Sequence, residues 1–243
     1  MSKKKFCITL ISTAFFIVIV SFFIIYFSMA NTYYYNNFNF LSCLQLRKSD
    51  WPSGESPDPI WSPDNISYKK NQMDLCINKN ENGLTAGEVT TKRSFGYGLY
   101  QVSMKPIKHS GVVSAFFNFG KKDNLSTEID IEFLGYDTTK VQFNYHTNGV
   151  GGHEYLYDLG FDASEDYHTY AFYWKKNSIY WYVDDVLAYE IHAEDIPEIE
   201  APIVMDVWAG GKEEWLCEYD GATPLYANYQ WFSYTSPDYV SIQ

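Results

Sequence analysis

An all-β fold, a sandwich or a closed barrel, is what the sequence predicts, on three observations. Short runs of alternating polar and apolar residues follow one another from Ile66 onward. Long helical periodicity is absent after residue 30. Aromatic residues, which strands favour, make up 19% of the chain. At 243 residues the chain suits one large β domain, and no internal repeat divides it.

The amino-terminal end follows a different logic. Lys3, Lys4 and Lys5 precede an uncharged apolar stretch over residues 6–30, and Ser28, Met29 and Ala30 offer the small residues of a cleavage site. This layout predicts an apolar export helix over residues 1–30, either a signal peptide that is removed or an uncleaved membrane anchor. In both cases the domain is secreted or extracytoplasmic, and any membrane contact runs through that segment alone. Residues 31–60, rich in Tyr, Asn, Ser and Pro, read as an irregular lead-in, with Pro52, Pro57 and Pro59 breaking regular structure.

The β domain is assigned to residues 61–243. Residues 72–78 alternate and lead to an Asn82-Gly83 turn. Residues 98–104 alternate again, and 112–119 form a mostly apolar run. Residues 169–174 and 179–183 flank Lys175-Lys176-Asn177-Ser178 and predict a hairpin.

A net charge of −12 and a pI near 4.8 argue against nucleic acid or a polyanion as partner and are compatible with a neutral polysaccharide. Beyond Cys7, the three cysteines Cys43, Cys76 and Cys217 permit at most one disulfide. No cluster has the spacing of a zinc site, so no metal is expected in catalysis.

The segment Thr127-Glu128-Ile129-Asp130-Ile131-Glu132-Phe133-Leu134 is the informative one. Strict alternation places Glu128, Asp130 and Glu132 on one face of a strand and Ile129, Ile131 and Phe133 on the other. A solvated acidic face is the plain reading of such a row. The apolar flanks and the absence of interleaved Lys or Arg favour a functional one. At roughly 3.3 Å per residue the outer Cα atoms lie about 13 Å apart. Side chains leaning toward each other across a sugar would approach the ~5–5.5 Å of a retaining glycosidase, in which one carboxylate attacks and the other moves the proton.

Together with residues 137–145 (Asp-Thr-Thr-Lys-Val-Gln-Phe-Asn-Tyr), this segment resembles glycoside hydrolase family 16, in particular its lichenase branch, the endo-1,3-1,4-β-glucanases. Phe95-Gly96-Tyr97-Gly98, Met104-Lys105-Pro106, Trp181-Tyr182-Val183-Asp184 and Pro224-Leu225-Tyr226-Ala227 agree in order, so the likeness spans about residues 61–234. The resemblance implies a jelly-roll (concanavalin-like) sandwich of two curved antiparallel sheets whose concave face holds glucan. It implies Glu128 as nucleophile, Asp130 as helper and Glu132 as general acid/base, with Glu88, Phe117, Gln142, Asn144, His146, Asp206 and Trp208 contacting sugar. Trp208 carries the strongest expectation as a stacking platform. The enzyme so implied is a monomer that hydrolyses neutral β-glucan inside the chain and requires no cofactor. A transglycosylase using the same residues and a non-catalytic glucan-binding module are the alternatives.

Several positions depart from the family pattern. Ser126-Thr127 stand where lichenases carry Trp-Asp. Thr90, His146 and Asp206 replace a cleft Arg, Tyr and Asn. The family's cysteine pair falls on Pro59 and Ala86, so that bridge is absent. An Asp that helps bind structural calcium falls on Gln230, leaving calcium an open expectation. His168 reads as structural, and His146, two residues past Asn144, falls on the cleft face.

Overall fold

The computed structural model describes residues 32–52, 59–211 and 213–241. The expected export or anchor helix over residues 1–30 lies outside them. Among the described residues no helix is long and apolar enough to cross a membrane. In chain order the strands are β1 (Tyr33–Asn36), β2 (Leu46–Lys48), β3 (Ile60–Trp61), β4 (Ile66–Tyr68), β5 (Met73–Asn80), β6 (Gly83–Ala86), β7 (Glu88–Phe95) and β8 (Gly98–Lys105). There follow β9 (Val112–Lys122), β10 (Leu125–Leu134), β11 (Lys140–His146), β12 (Tyr155–Asp158), β13 (His168–Lys175), β14 (Ser178–Val183), β15 (Val186–His192), β16 (Ala201–Ala209) and β17 (Leu225–Thr235). Two one-turn helices are α1 (Phe40–Cys43) and α2 (Glu213–Leu216).

These strands form two sheets. One has the order β12-β11-β10-β9-β16-β7-β2; the other runs β15-β14-β13-β8-β17-β5-β6-β3, with β1 on β17 and β4 on β5. Pairing is antiparallel except for the two-residue parallel contact of β3 with β6 at the sheet edge, a small departure from the all-antiparallel expectation. The hairpin expected around Lys176-Asn177 is present, with Lys175 opposite Ser178.

The alternation of β10 explains the layering. Ile129, Ile131 and Phe133 are fully buried between the sheets. Phe133 packs edge-on against Tyr170 of β13 at 4.8 Å, and Phe143 stacks on Trp181 of β14 at 5.6 Å. Each such side chain contributes about 1.5–3 kcal/mol by leaving water. The indole N–H of Trp181 donates to the Asp130 carbonyl at 3.1 Å, tying the back of the carboxylate strand to the opposite sheet.

Residues 31–60 depart from the irregular lead-in expected of them. β1 pairs with β17 over Tyr33–Asn36, and β2 pairs with β7 over Leu46–Lys48, so this segment adds an edge strand to each sheet. The prolines that suggested irregularity begin only at Pro52. Upstream of them, Phe38 and Leu46 are buried in the core.

Cys43, Cys76 and Cys217 are all free thiols. A reductant is therefore expected to leave the thermal midpoint unchanged to within about a degree, below the roughly 2–4 degrees that loss of 1 kcal/mol would cause in a domain of this size. Melting curves with and without dithiothreitol check this.

Candidate active site

Strand register assembles the site. Glu128, Asp130 and Glu132 of β10 lie opposite His146, Asn144 and Gln142 of β11. On the other side they lie opposite Phe119, Phe117 and Ala115 of β9. Because side chains repeat every second residue, these partners face the same way. One row continues from Asp130 through Phe117 and Val204 to Thr90 and Arg47; the next runs from Glu132 through Ala115 and Asp206 to Glu88. The rows floor a cleft of about 890 Å³. All ten sequence-expected site residues line it: the three carboxylates with Glu88, Phe117, Gln142, Asn144, His146, Asp206 and Trp208.

Each of the polar side chains has a defined setting. Gln142 Nε2 donates to Glu132 Oε2 at 2.9 Å, and Trp215 Nε1 donates to Gln142 Oε1 at 3.1 Å. This relay holds the Gln142 amide with its donor toward Glu132. Ser49 Oγ donates a short hydrogen bond to Glu88, whose carboxyl is nevertheless raised by burial. Asn144 turns its side-chain oxygen to the Tyr145 N–H at 2.9 Å. His146 Nδ1 lies 3.5 Å from Glu128 Oε2 and 3.6 Å from Asp130 Oδ2.

Burial, then the neighbouring Asp130 carboxylate, push the Glu128 carboxyl up to about 9, while His146 pulls it down. Asp130 is pushed well above the usual carboxylate range by burial, then by Glu132 and Asp206. Two carboxylates this close cannot both ionise cheaply near neutrality, so the pair retains one proton. Asp130 has 5% of its side chain exposed against 27% for Glu128, so solvent offsets ionisation more at Glu128 than at Asp130.

The same crowding makes a stability prediction. A carboxyl whose pKa is raised on folding stabilises fully below its unfolded value, near 4, and loses that contribution as pH rises toward the folded one. Asp130→Asn removes the charge conflict. Its midpoint relative to wild type should therefore climb between pH 5 and pH 9, read by melts across that range. A constant offset would mean the pair is not strained by ionisation.

Trp208 is only 7% exposed and packs with Trp61, Val113, Leu134 and Leu216. Its ring lies 6.0 Å from that of Trp215, so it lines the cleft as part of a paired indole wall rather than as a free platform. Sequence reasoning missed Trp215, Trp51, Arg47, Phe119 and Glu154, which also line the cleft. Phe119 was findable, two residues beyond Phe117 on one face. Nothing local marks Trp215 on its one-turn helix or Arg47 in the lead-in. His168 is structural as expected: Nδ1 meets Asp184 Oδ2 at 2.6 Å and the ring stacks on Phe161 at 3.8 Å. Gln230, at the position of the calcium-binding Asp, offers a neutral amide oxygen already engaged by Ser103 Oγ at 3.1 Å, so the anionic ligand calcium prefers is missing there.

Similarity to known proteins agrees with this geometry. The chain is 41% identical to a Beta-glucanase of Paenibacillus polymyxa over 242 residues, covering 97% of this chain and all of that one. It is 44% identical to a Beta-glucanase of Acetivibrio thermocellus over 213 residues, 85% of this chain, and spans 64% of that longer protein. A crystal structure of a prokaryotic beta-1,3-1,4-glucanase (lichenase) from a mouse hindgut metagenome superposes with a TM-score of 0.80 at 44% identity, covering 84% of this chain and 99% of that one. The profile of the family described as Glycosyl hydrolases family 16 matches residues 53–230, most of the chain and every strand of the cleft sheet except β2. With three carboxylates in one row on the cleft floor, the chain belongs to glycosyl hydrolase family 16 and is a glycoside hydrolase.

Proposed function

We propose that this chain is an endo-acting retaining hydrolase of β-1,3-1,4-glucan. The observation that carries the reading is the row Glu128, Asp130, Glu132 on the floor of an open cleft, with Glu132 held by Gln142 and Glu128 beside the buried Asp130. Glu128 attacks the anomeric carbon, forming a glycosyl ester as the bond to the departing glucan oxygen breaks. Glu132 gives its proton to that oxygen. It then takes a proton from water, which attacks the anomeric carbon and releases Glu128. Asp130 donates a hydrogen bond to Glu128 and keeps its own proton. No step draws on a metal or cofactor.

Mixed-linkage specificity rests on likeness to the lichenase and the Beta-glucanases. An open cleft lined by Phe117, Phe119 and Trp51 suits a long neutral chain bound along its length and cut internally. A polymeric substrate of this size is met outside the cytoplasm, which accords with the basic and apolar amino-terminal sequence. We assign the enzyme to secreted or surface-anchored action as a monomer.

Parallel digestion of barley-type glucan, laminarin and cellulose, with reducing ends measured, tests the specificity. Release from mixed-linkage glucan is expected to exceed that from laminarin at least about tenfold, the discrimination that one or two well-placed sugar contacts supply. Equal or faster release from laminarin would show that the altered cleft has moved specificity toward pure β-1,3-glucan.

A further inference from the structure

The carboxylate row has a neighbour that the two-carboxylate reaction does not use. His146 Nδ1 faces Glu128 Oε2 at 3.5 Å and Asp130 Oδ2 at 3.6 Å. Neither His146 Nδ1 nor Asp130 Oδ2 has a hydrogen-bond partner, though both atoms are buried and Asp130 is 3% exposed as a residue. One ligand atom from each of Glu128, Asp130 and His146 falls within 4.8 Å of the others.

We propose that Glu128, Asp130 and His146 form a binding site for a transition-type divalent cation such as Zn2+, and that the ion excludes glucan from the catalytic centre. The inhibitory half of this inference rests on the functional reading above; the binding half does not. Bonds of ~2.0–2.2 Å in a tetrahedral arrangement separate ligand atoms by ~3.3–3.6 Å, which the two His146 distances match. An imidazole nitrogen with two carboxylates selects Zn2+ or Cu2+ over Mg2+ or Ca2+, which prefer oxygen ligands in larger number. The fourth position opens to the cleft, where water completes the shell.

Two features hold the imidazole in place. Its register partner is Glu128 itself. A Cβ added at Gly151 would stand 2.5 Å from His146 Cδ2 and Nε2, so the chain closes on the outer edge of the ring and Nδ1 is left facing the carboxylates. The other histidine–carboxylate contacts differ, since His168–Asp184, His109–Asp220 and His192–Glu190 each supply one carboxylate only. A cation on Glu128 also occupies the carboxylate that must attack sugar, so metal and substrate compete.

Zinc titration of metal-free protein by calorimetry at pH 7 tests the binding. One Zn2+ is expected, weakened about 100-fold or more in His146→Phe and about tenfold in Gly151→Ala, which moves the ring without removing a ligand. Circular dichroism checks that both variants fold, and His146→Gln repeats the test should Phe not be accommodated. In glucan hydrolysis Zn2+ should raise the apparent KM in proportion to 1 + [Zn2+]/Kd with kcat unchanged, EDTA should restore activity, and Mg2+ or Ca2+ should do nothing at equal concentration. Undiminished zinc binding in the folded His146 variants, absence of binding to wild type, or equal binding of Ca2+ would overturn the site. Inhibition that leaves KM untouched would overturn the competition. A protein that binds zinc at these residues but hydrolyses no glucan would instead sink the functional reading and leave the site standing.

Discussion

Glu128→Gln is expected to lose roughly 10^4-fold or more in kcat on glucan while folding normally, the scale on which covalent enzymes fall when the nucleophile is removed. Four decades correspond to about 5.4 kcal/mol of transition-state stabilisation. The reason is chemical: an amide of the same shape still fills the space beside His146 and Phe119 but cannot form the glycosyl ester. Folding should survive because the back of β10, with Ile129, Ile131 and Phe133 buried, is untouched. Glu128→Ala supplies the complementary test. Azide entering the space left by the carboxylate should restore turnover and yield a glycosyl azide of inverted configuration. Near-normal kcat in the Gln variant would remove Glu128 from the nucleophile's role.

Glu132→Ala should separate substrates by their leaving groups. General acid catalysis contributes about 10²–10⁴-fold where the departing oxygen needs a proton. Cleavage of glucan should fall by that amount. Glycosyl-enzyme formation from an aryl β-glucoside with an acidic phenol should fall far less, since that leaving group departs as the anion. The second step then becomes slow, because no base activates water, and the glycosyl-enzyme should accumulate as a burst of phenol. Gln142→Ala should give a milder version of the same pattern, since it removes the 2.9 Å donor to Glu132 and leaves the carboxyl in place. Equal losses on both substrates at the first step would show that Glu132 is not the acid.

Much of this site is local in origin. Alternation along eight residues is a statement about one strand, and a strand's two faces follow from backbone geometry whatever surrounds it. That is why the shared face of Glu128, Asp130 and Glu132, and the buried face of Ile129, Ile131 and Phe133, were both legible. The hairpin at Lys176-Asn177 is local for the same reason. Other features depend on partners distant in the chain. Trp208 reads as a sugar platform from its own neighbourhood, yet packing by Trp61, Leu216 and Trp215 leaves it 7% exposed. Prolines from position 52 onward made residues 31–60 look irregular, but β1 and β2 gain their hydrogen bonds from β17 and β7, far along the sequence.

The sequence by itself determined the all-β class, the shared carboxylate face of β10, the family resemblance and the loss of the family's disulfide. Only the tertiary structure decided which side chains meet that face: Trp215 steering Gln142 onto Glu132, Ser49 bonded to Glu88, Arg47 carried to the cleft edge, and His146 set against two carboxylates with its inner nitrogen unpartnered. The division has a physical cause. Period-two alternation is written into consecutive residues, whereas register between strands, and the desolvation that pushes Glu128 and Asp130 above their ordinary range, exist only once the sheets have closed around their common core.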